Sequence, residues 1–135
     1  MNALKLLPVY VLTLVTFLAI DAVWLGLIAK DMYRRELGHL LAPNVRWGAA
    51  IAFYVIYIAG LLILVVLPHQ RSPVLTVAAL GAVFGLVAYA TYDLTNLATL
   101  TRWPLSVTLA DLAWGAFVTA VTAAAGHAYA RWLLP

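Results

Sequence analysis

Long apolar runs alternate with short polar breaks along this chain. The apolar runs cover about 8–29, 47–67, 74–94 and 105–129. Each is long enough for a helix that crosses a hydrocarbon core, which takes about 20 residues. In lipid the backbone must satisfy its own hydrogen bonds, so helices are expected. A barrel would need polar and apolar positions to alternate, and they do not. The pattern predicts an all-α, integral membrane four-helix bundle, with 1–135 as a single transmembrane domain.

Punctuation at the ends of the runs fits this reading. Pro8, Pro73 and Pro104 are expected in the first turn of a helix, where a missing N–H costs little. Pro68 stands where the second helix should stop. Trp47, Trp103 and Trp132 fall at expected water–lipid boundaries. The first run is too long for a cleaved signal sequence and contains Asp21 and Trp24, so it is read as a retained helix. The longest connection, "KDMYRRELGHLLAPNVR" (30–46), is charged enough to lie on the membrane surface, with room for a helical turn or two.

Composition narrows the class further. Hydrophobic residues make up 66% of the 135 positions and charged residues 10%. A soluble domain sits near half apolar and a quarter charged, so the solvent here is lipid. The net charge of +3 comes from basic residues near the ends of the runs. That placement suits lipid headgroups better than nucleic acid, and with no nucleic-acid motif in the sequence no such partner is expected. The absence of cysteine excludes disulfides, thiolate metal sites and Cys nucleophiles. With four spans both termini share one side, which carries Lys5, Arg71 and Arg131. The other side carries Lys30, Arg34, Arg35, Arg46 and Arg102. The positive-inside rule then puts the 30–46 and 95–104 loops in the cytoplasm.

The acids are the unusual feature. Asp31 and Glu36 lie in the charged loop and read as a solvated face. Asp21, Asp93 and Asp111 lie inside spans, all in the half nearest the 30–46 and 95–104 loops. Tyr89, Tyr92, Asp93 and Asn96 share one helix side, and Gly81, Gly85 and Ala88 extend it. Thr13, Phe17, Asp21 and Trp24 form a matching stripe on the first helix. Thr108, Asp111, Trp114, Gly115 and Thr122 form one on the last. The second helix has no acidic or basic residue but offers Tyr54 and Tyr57.

An intramembrane carboxylate costs roughly 2.5–3.5 kcal/mol on insertion scales, so it needs partners or a wet cavity. No Lys or Arg shares the depth. Lys30 and Arg102 reach it only by snorkelling. One such acid alone is adequately explained by a hydrogen bond that fixes helix packing. Three at one level point to a site. His39, His69 and His127 are spread over both sides, so no metal-ligand set is assigned.

Two echoes suggest weakly repeated helix pairs: "RWGAA" (46–50) against "RWPLS" (102–106), and Asp21–Lys30 against Asp93–Arg102 at equal separation. "DAVW" (21–24) and "DLAW" (111–114) also match, but on helices of opposite direction.

The segments "FLAIDAVWLG" (17–26), "YDLTNLATLTRWP" (92–104) and "DLAWG" (111–115) resemble the bacterial membrane-protein family known as domain of unknown function 2177. The resemblance covers nearly the whole chain. It implies a multi-pass protein of the bacterial inner membrane with no established activity, and an association with fatty-acid modification. At the matching positions the family's polar residues are Asp21, Trp24, Tyr92, Asp93, Asn96, Arg102, Asp111 and Trp114.

Three functions compete. The first is binding or transport of a small polar, cationic or lipid-like molecule, with a proton as a coupled ion. The ligand-binding or proton-carrying residues would be Asp21, Trp24, Tyr54, Tyr57, Tyr89, Tyr92, Asp93, Asn96, Arg102, Asp111 and Trp114. Transport would call for a homodimer, since one bundle offers little wall for two gates. The second is a membrane-embedded enzyme using the Asp cluster as acid and base on a lipid. The third is an accessory subunit that stabilises a partner. Membrane lipids are partners in every case, and no cofactor is assigned.

Overall fold

The computed structural model describes residues 3–135. Helix α1 (Ala3–Val23) runs on through a π-helical turn at Trp24–Ile28. A short helix α2 (Lys30–Leu37) follows. Helix α3 (Trp47–Leu61) continues through a second π turn, Leu62–Val66, and a 3-10 turn, Leu67–His69. Helices α4 (Val74–Thr99) and α5 (Leu105–Leu133) complete the chain. Four continuous segments are long and apolar enough to cross a membrane: Ala3–Ile28, Trp47–His69, Val74–Thr99 and Leu105–Leu133. No strand occurs among the described residues.

Pro73 and Pro104 immediately precede α4 and α5, and Pro68 lies in the terminal 3-10 turn of the second span. Pro8 departs from expectation, because it lies inside α1 rather than in its first turn. A proline this near a helix end removes one donor and leaves the packed part of the helix intact. Helix α4 continues beyond the end of its apolar run, and its threonines bond back to their own helix. Thr91 donates to the Val87 carbonyl (2.6 Å) and Thr99 to the Thr95 carbonyl (2.7 Å).

Helix α5 is the hub. Its buried residues run from Val107 to Ala130, along nearly its full length. Helix α4 packs closest to it, antiparallel, in a register read directly from the glycines. Gly81 sits against Ala123, where an added Cβ would come within 2.6 Å of the alanine methyl. One turn on, a Cβ on Gly85 would strike the Gly115 carbonyl and the Thr119 side chain. The next turn reverses the roles, with the Tyr89 ring lying in the notch left by Gly115. In lipid no hydrophobic drive pushes helices together, so such close contact and its dispersion energy hold the pair.

Helix α1 covers another side of α5. Thr16 and Tyr129 hydroxyls bond at 2.7 Å, and Gly126 accommodates Thr13. Helix α3 is held unevenly. Its Leu62–Val66 turn packs on α4 and α5, and a Cβ added to Gly60 would come within 3.3 Å of the Phe84 ring. Tyr57 is buried, bonded to the Thr119 hydroxyl, with its ring near Phe17 and Phe84. Beyond Tyr57, toward Trp47, α3 leans on α1, where Tyr10 donates to the Val55 carbonyl at 3.0 Å, and parts from α4.

The 30–46 connection does more than lie on the surface. Leu37 of α2 is buried in a small cluster with Trp103 and Val107, with Tyr33 packed alongside. Trp103 is therefore a docking residue, and its indole N–H donates to Thr108 at 3.0 Å. Trp47 and Trp132 are exposed, as interfacial anchors are.

The α4–α5 register predicts a sharp asymmetry among glycines. Gly85→Ala and Gly115→Ala should each cost about 1–3 kcal/mol through overpacking. Gly48→Ala meets nothing within 4 Å and should stay within about 0.5 kcal/mol of the parent. Unfolding of the detergent-solubilised variants measures the difference. Equal stabilities for all three would show that α4 and α5 are not packed in this register.

Candidate functional site

The site grows out of the α4–α5 contact. One turn beyond Tyr89 on α4 lies Asp93, and one turn before Gly115 on α5 lies Asp111. The register that seats Tyr89 in the glycine notch therefore brings these two carboxyl groups together. Asp93 is 0% exposed, and neither of its oxygens receives a bond from any N–H or O–H among the described residues. Two carboxyl groups have only acceptors to offer once ionised, so they can bond each other only through a shared proton or a bound donor.

Asp111 is approached from its other side by α2. The Tyr33 hydroxyl donates to Asp111 Oδ1, and the Trp24 indole N–H donates to the Tyr33 oxygen at 2.9 Å. Burial, then the bond to Asp111 and its charge, push the Tyr33 phenol above its ordinary range, so it remains a donor. The indole N–H of Trp114 donates to Asp21 Oδ1 at 3.2 Å. The rings of Trp24 and Trp114 stack at 4.5 Å and 6°.

These bonds explain the matching D-x-x-W segments. "DAVW" on α1 and "DLAW" on α5 run antiparallel and exchange partners. The tryptophan of one reaches the aspartate of the other directly, and the return bond passes through Tyr33. Asp21, Trp24, Asp111 and Trp114 thus form a clasp between α1 and α5. No arginine or lysine neutralises it. Arg102 is exposed, at a backbone φ of 60°, and the one ion pair among the described residues is Arg35–Glu36 on the surface.

Beside the acid pair lies a groove of about 330 Å³, lined by Phe53, Ala88, Tyr89, Tyr92 and Asp111. It occupies the gap left where α3 parts from α4. Its rim residues, Phe53 (47% exposed) and Tyr92 (58% exposed), lie on helices long and apolar enough to cross a membrane. The Tyr92 ring stands edge-on to Trp103 at 5.7 Å, and Asn96 reaches the Tyr92 hydroxyl. The walls are aromatic, and Asp111 contributes the acid.

The residues singled out in the sequence are thus divided among tasks. Tyr89, Tyr92 and Asp111 line the groove, with Asp93 behind Asp111 and Asn96 beside Tyr92. Asp21, Trp24 and Trp114 are engaged with one another and with Tyr33. Tyr54 packs on Phe17 and Phe53, Tyr57 is tied to Thr119, and Arg102 stays outside. Two participants escaped the sequence reading. Tyr33 sits one turn before Leu37, on the apolar side of an otherwise charged segment. Phe53 stands one turn before Tyr57. Helical spacing alone was available to mark either.

The clasp makes Tyr33 the donor that α2 supplies to Asp111. Tyr33→Phe should lower stability by about 1–3 kcal/mol, the usual cost of stranding a buried acceptor. The sign of its pH dependence follows from the raised phenol. The contribution is full below the ordinary tyrosine value of about 10 and falls as pH rises above it. Denaturation of parent and variant at neutral pH measures the loss, and equal stabilities would mean Tyr33 is not the donor to Asp111.

Comparison with known proteins supplies the family. A family described as "Predicted membrane protein (DUF2177)" matches residues 6–128, which takes in both D-x-x-W segments, Asp93 and every groove residue. No curated protein and no solved structure matches. On the extent of that match, the chain belongs to the DUF2177 family of predicted membrane proteins.

Proposed function

We propose that this protein binds a lipid-like amphiphile that enters sideways from the bilayer. The groove between α3 and α4 carries this reading: an aromatic trough whose mouth lies within the spans and whose lining includes Asp111. A soluble metabolite would need an opening toward an aqueous loop. An apolar tail needs what this groove offers, a lateral gap rimmed by Phe53 and Tyr92. The polar head then lies against the acid. Pockets of this kind are mostly apolar with a few placed polar groups, and about 300–1,000 Å³ is the usual range.

The location read from the family resemblance is a bacterial inner membrane, and the charge asymmetry of the connections supports an orientation with the 30–46 side in the cytoplasm. The groove then serves the cytoplasmic leaflet. Binding needs no moving gate, which suits a bundle whose clasp and glycine contacts leave α1, α4 and α5 tightly joined.

The test fills the groove. Ala88→Trp places an indole among the lining residues while leaving the α4–α5 glycines untouched. Protein in phosphatidylcholine nanodiscs is titrated with dodecyl amphiphiles that share one tail and differ in head: amine, trimethylammonium, alcohol and carboxylate. At least one should bind the parent, and Ala88→Trp should weaken it about tenfold or more, equivalent to about 1.4 kcal/mol. The melting temperature serves as the check on folding. If no member of the set binds, or if Ala88→Trp binds as the parent does, this groove is not a ligand site.

A further inference from the structure

We propose that the head of the bound amphiphile is a primary ammonium, held by Asp111 and Asp93 together. The inference rests on the groove reading above and adds the chemistry of the head. Asp93 is wholly buried, and neither of its oxygens receives a bond from any N–H or O–H among the described residues. Without a ligand the pair is satisfied only by a proton shared between Asp93 and Asp111, and a bound cationic donor can take that proton's place. The carboxyl beside it, Asp111, lines the groove, which gives an incoming head a route to the pair.

The kind of donor follows by comparison. A primary ammonium carries a positive charge and three N–H groups on one small atom. It can bond Asp111 at the groove and Asp93 behind it while its charge offsets both. Tyr33 already bonds one oxygen of Asp111 from the α2 side, so the ammonium is needed on the side facing Asp93. The aromatic residues Phe53, Tyr89 and Tyr92 line the approach, and ring faces attract a cation.

Other heads fit less well. A trimethylammonium satisfies the rings but brings no N–H, so Asp93 stays without a donor. A phosphate monoester or carboxylate head meets two acids with no arginine or lysine to offset them. An alcohol brings a single donor and no charge. A bare metal ion would need further ligands, and no group of three or more His, Cys, Asp or Glu residues is suitably placed among the described residues.

The experiment uses the full-length protein in phosphatidylcholine nanodiscs, with dodecylamine and dodecyltrimethylammonium as probes. Dodecylamine should bind at least about tenfold more tightly. Asp93→Asn, which keeps the shape and removes the charge, should weaken the amine by about tenfold or more and leave dodecanol unchanged. Should Asp93→Asn fail to fold, the comparison of the two probes on the parent still decides. Nanodiscs containing phosphatidylethanolamine then distinguish the source. Competition with dodecylamine identifies a phospholipid headgroup, and its absence identifies a free long-chain amine; either result retains the primary ammonium. Equal affinity for the two probes, weakened in both cases by Ala88→Trp, would overturn the ammonium assignment and leave the groove reading standing. Binding indifferent to Ala88→Trp would overturn both.

Discussion

Everything in the site depends on how closely α4 approaches α5. Gly81, Gly85 and Gly115 remove the side chains that would hold the two backbones apart. The contact repeats every turn, first with glycine on α4 and then with glycine on α5, where Tyr89 enters the notch. The next turn carries Asp93 and Asp111. The acid pair is thus the last rung of a ladder set by small residues. Its members meet because the rungs below them admit no other register. Thr119 belongs to the same ladder, and its bond to Tyr57 ties α3 to it.

A second constraint acts across α1 and α5. The exchanged bonds satisfy both indole N–H groups and an oxygen of each aspartate, which lipid would otherwise penalise, and the two indoles stack. The inclusion of Tyr33 extends this clasp to α2, which would otherwise be a loosely held surface segment. Docking of Leu37 against Trp103 and Val107 completes the connection. The charged 30–46 connection is therefore mechanically continuous with the buried acids. Helix α3 takes no part in the clasp. Its separation from α4 beyond Tyr57 opens the groove.

Much of this was legible in the linear order of residues, and for stated reasons. Four runs of span length and a bilayer's demand for internal hydrogen bonding leave few architectures. The common depth of Asp21, Asp93 and Asp111, and the stripes they share with small and aromatic residues, follow from helical periodicity. Other features were not legible. Pro8 reads as a helix start and lies within one. Trp103 reads as an interfacial anchor and is buried under α2. Arg102 reads as a reachable partner for Asp93 and stays outside. In each case the outcome turned on which neighbour arrived, and local sequence holds no record of that.

The sequence by itself determined the number of spans, their polar faces and the level at which the acids lie, because periodicity and the cost of burying charge act within one helix. Tertiary structure decided how the acids were divided. Asp21 went to a tryptophan, Asp111 to a tyrosine from a surface helix, and Asp93 to the facing Asp111, with no other donor among the described residues. That division depends on a rotation and a spacing between helices, which glycine contacts and ring stacking set only once the bundle has assembled.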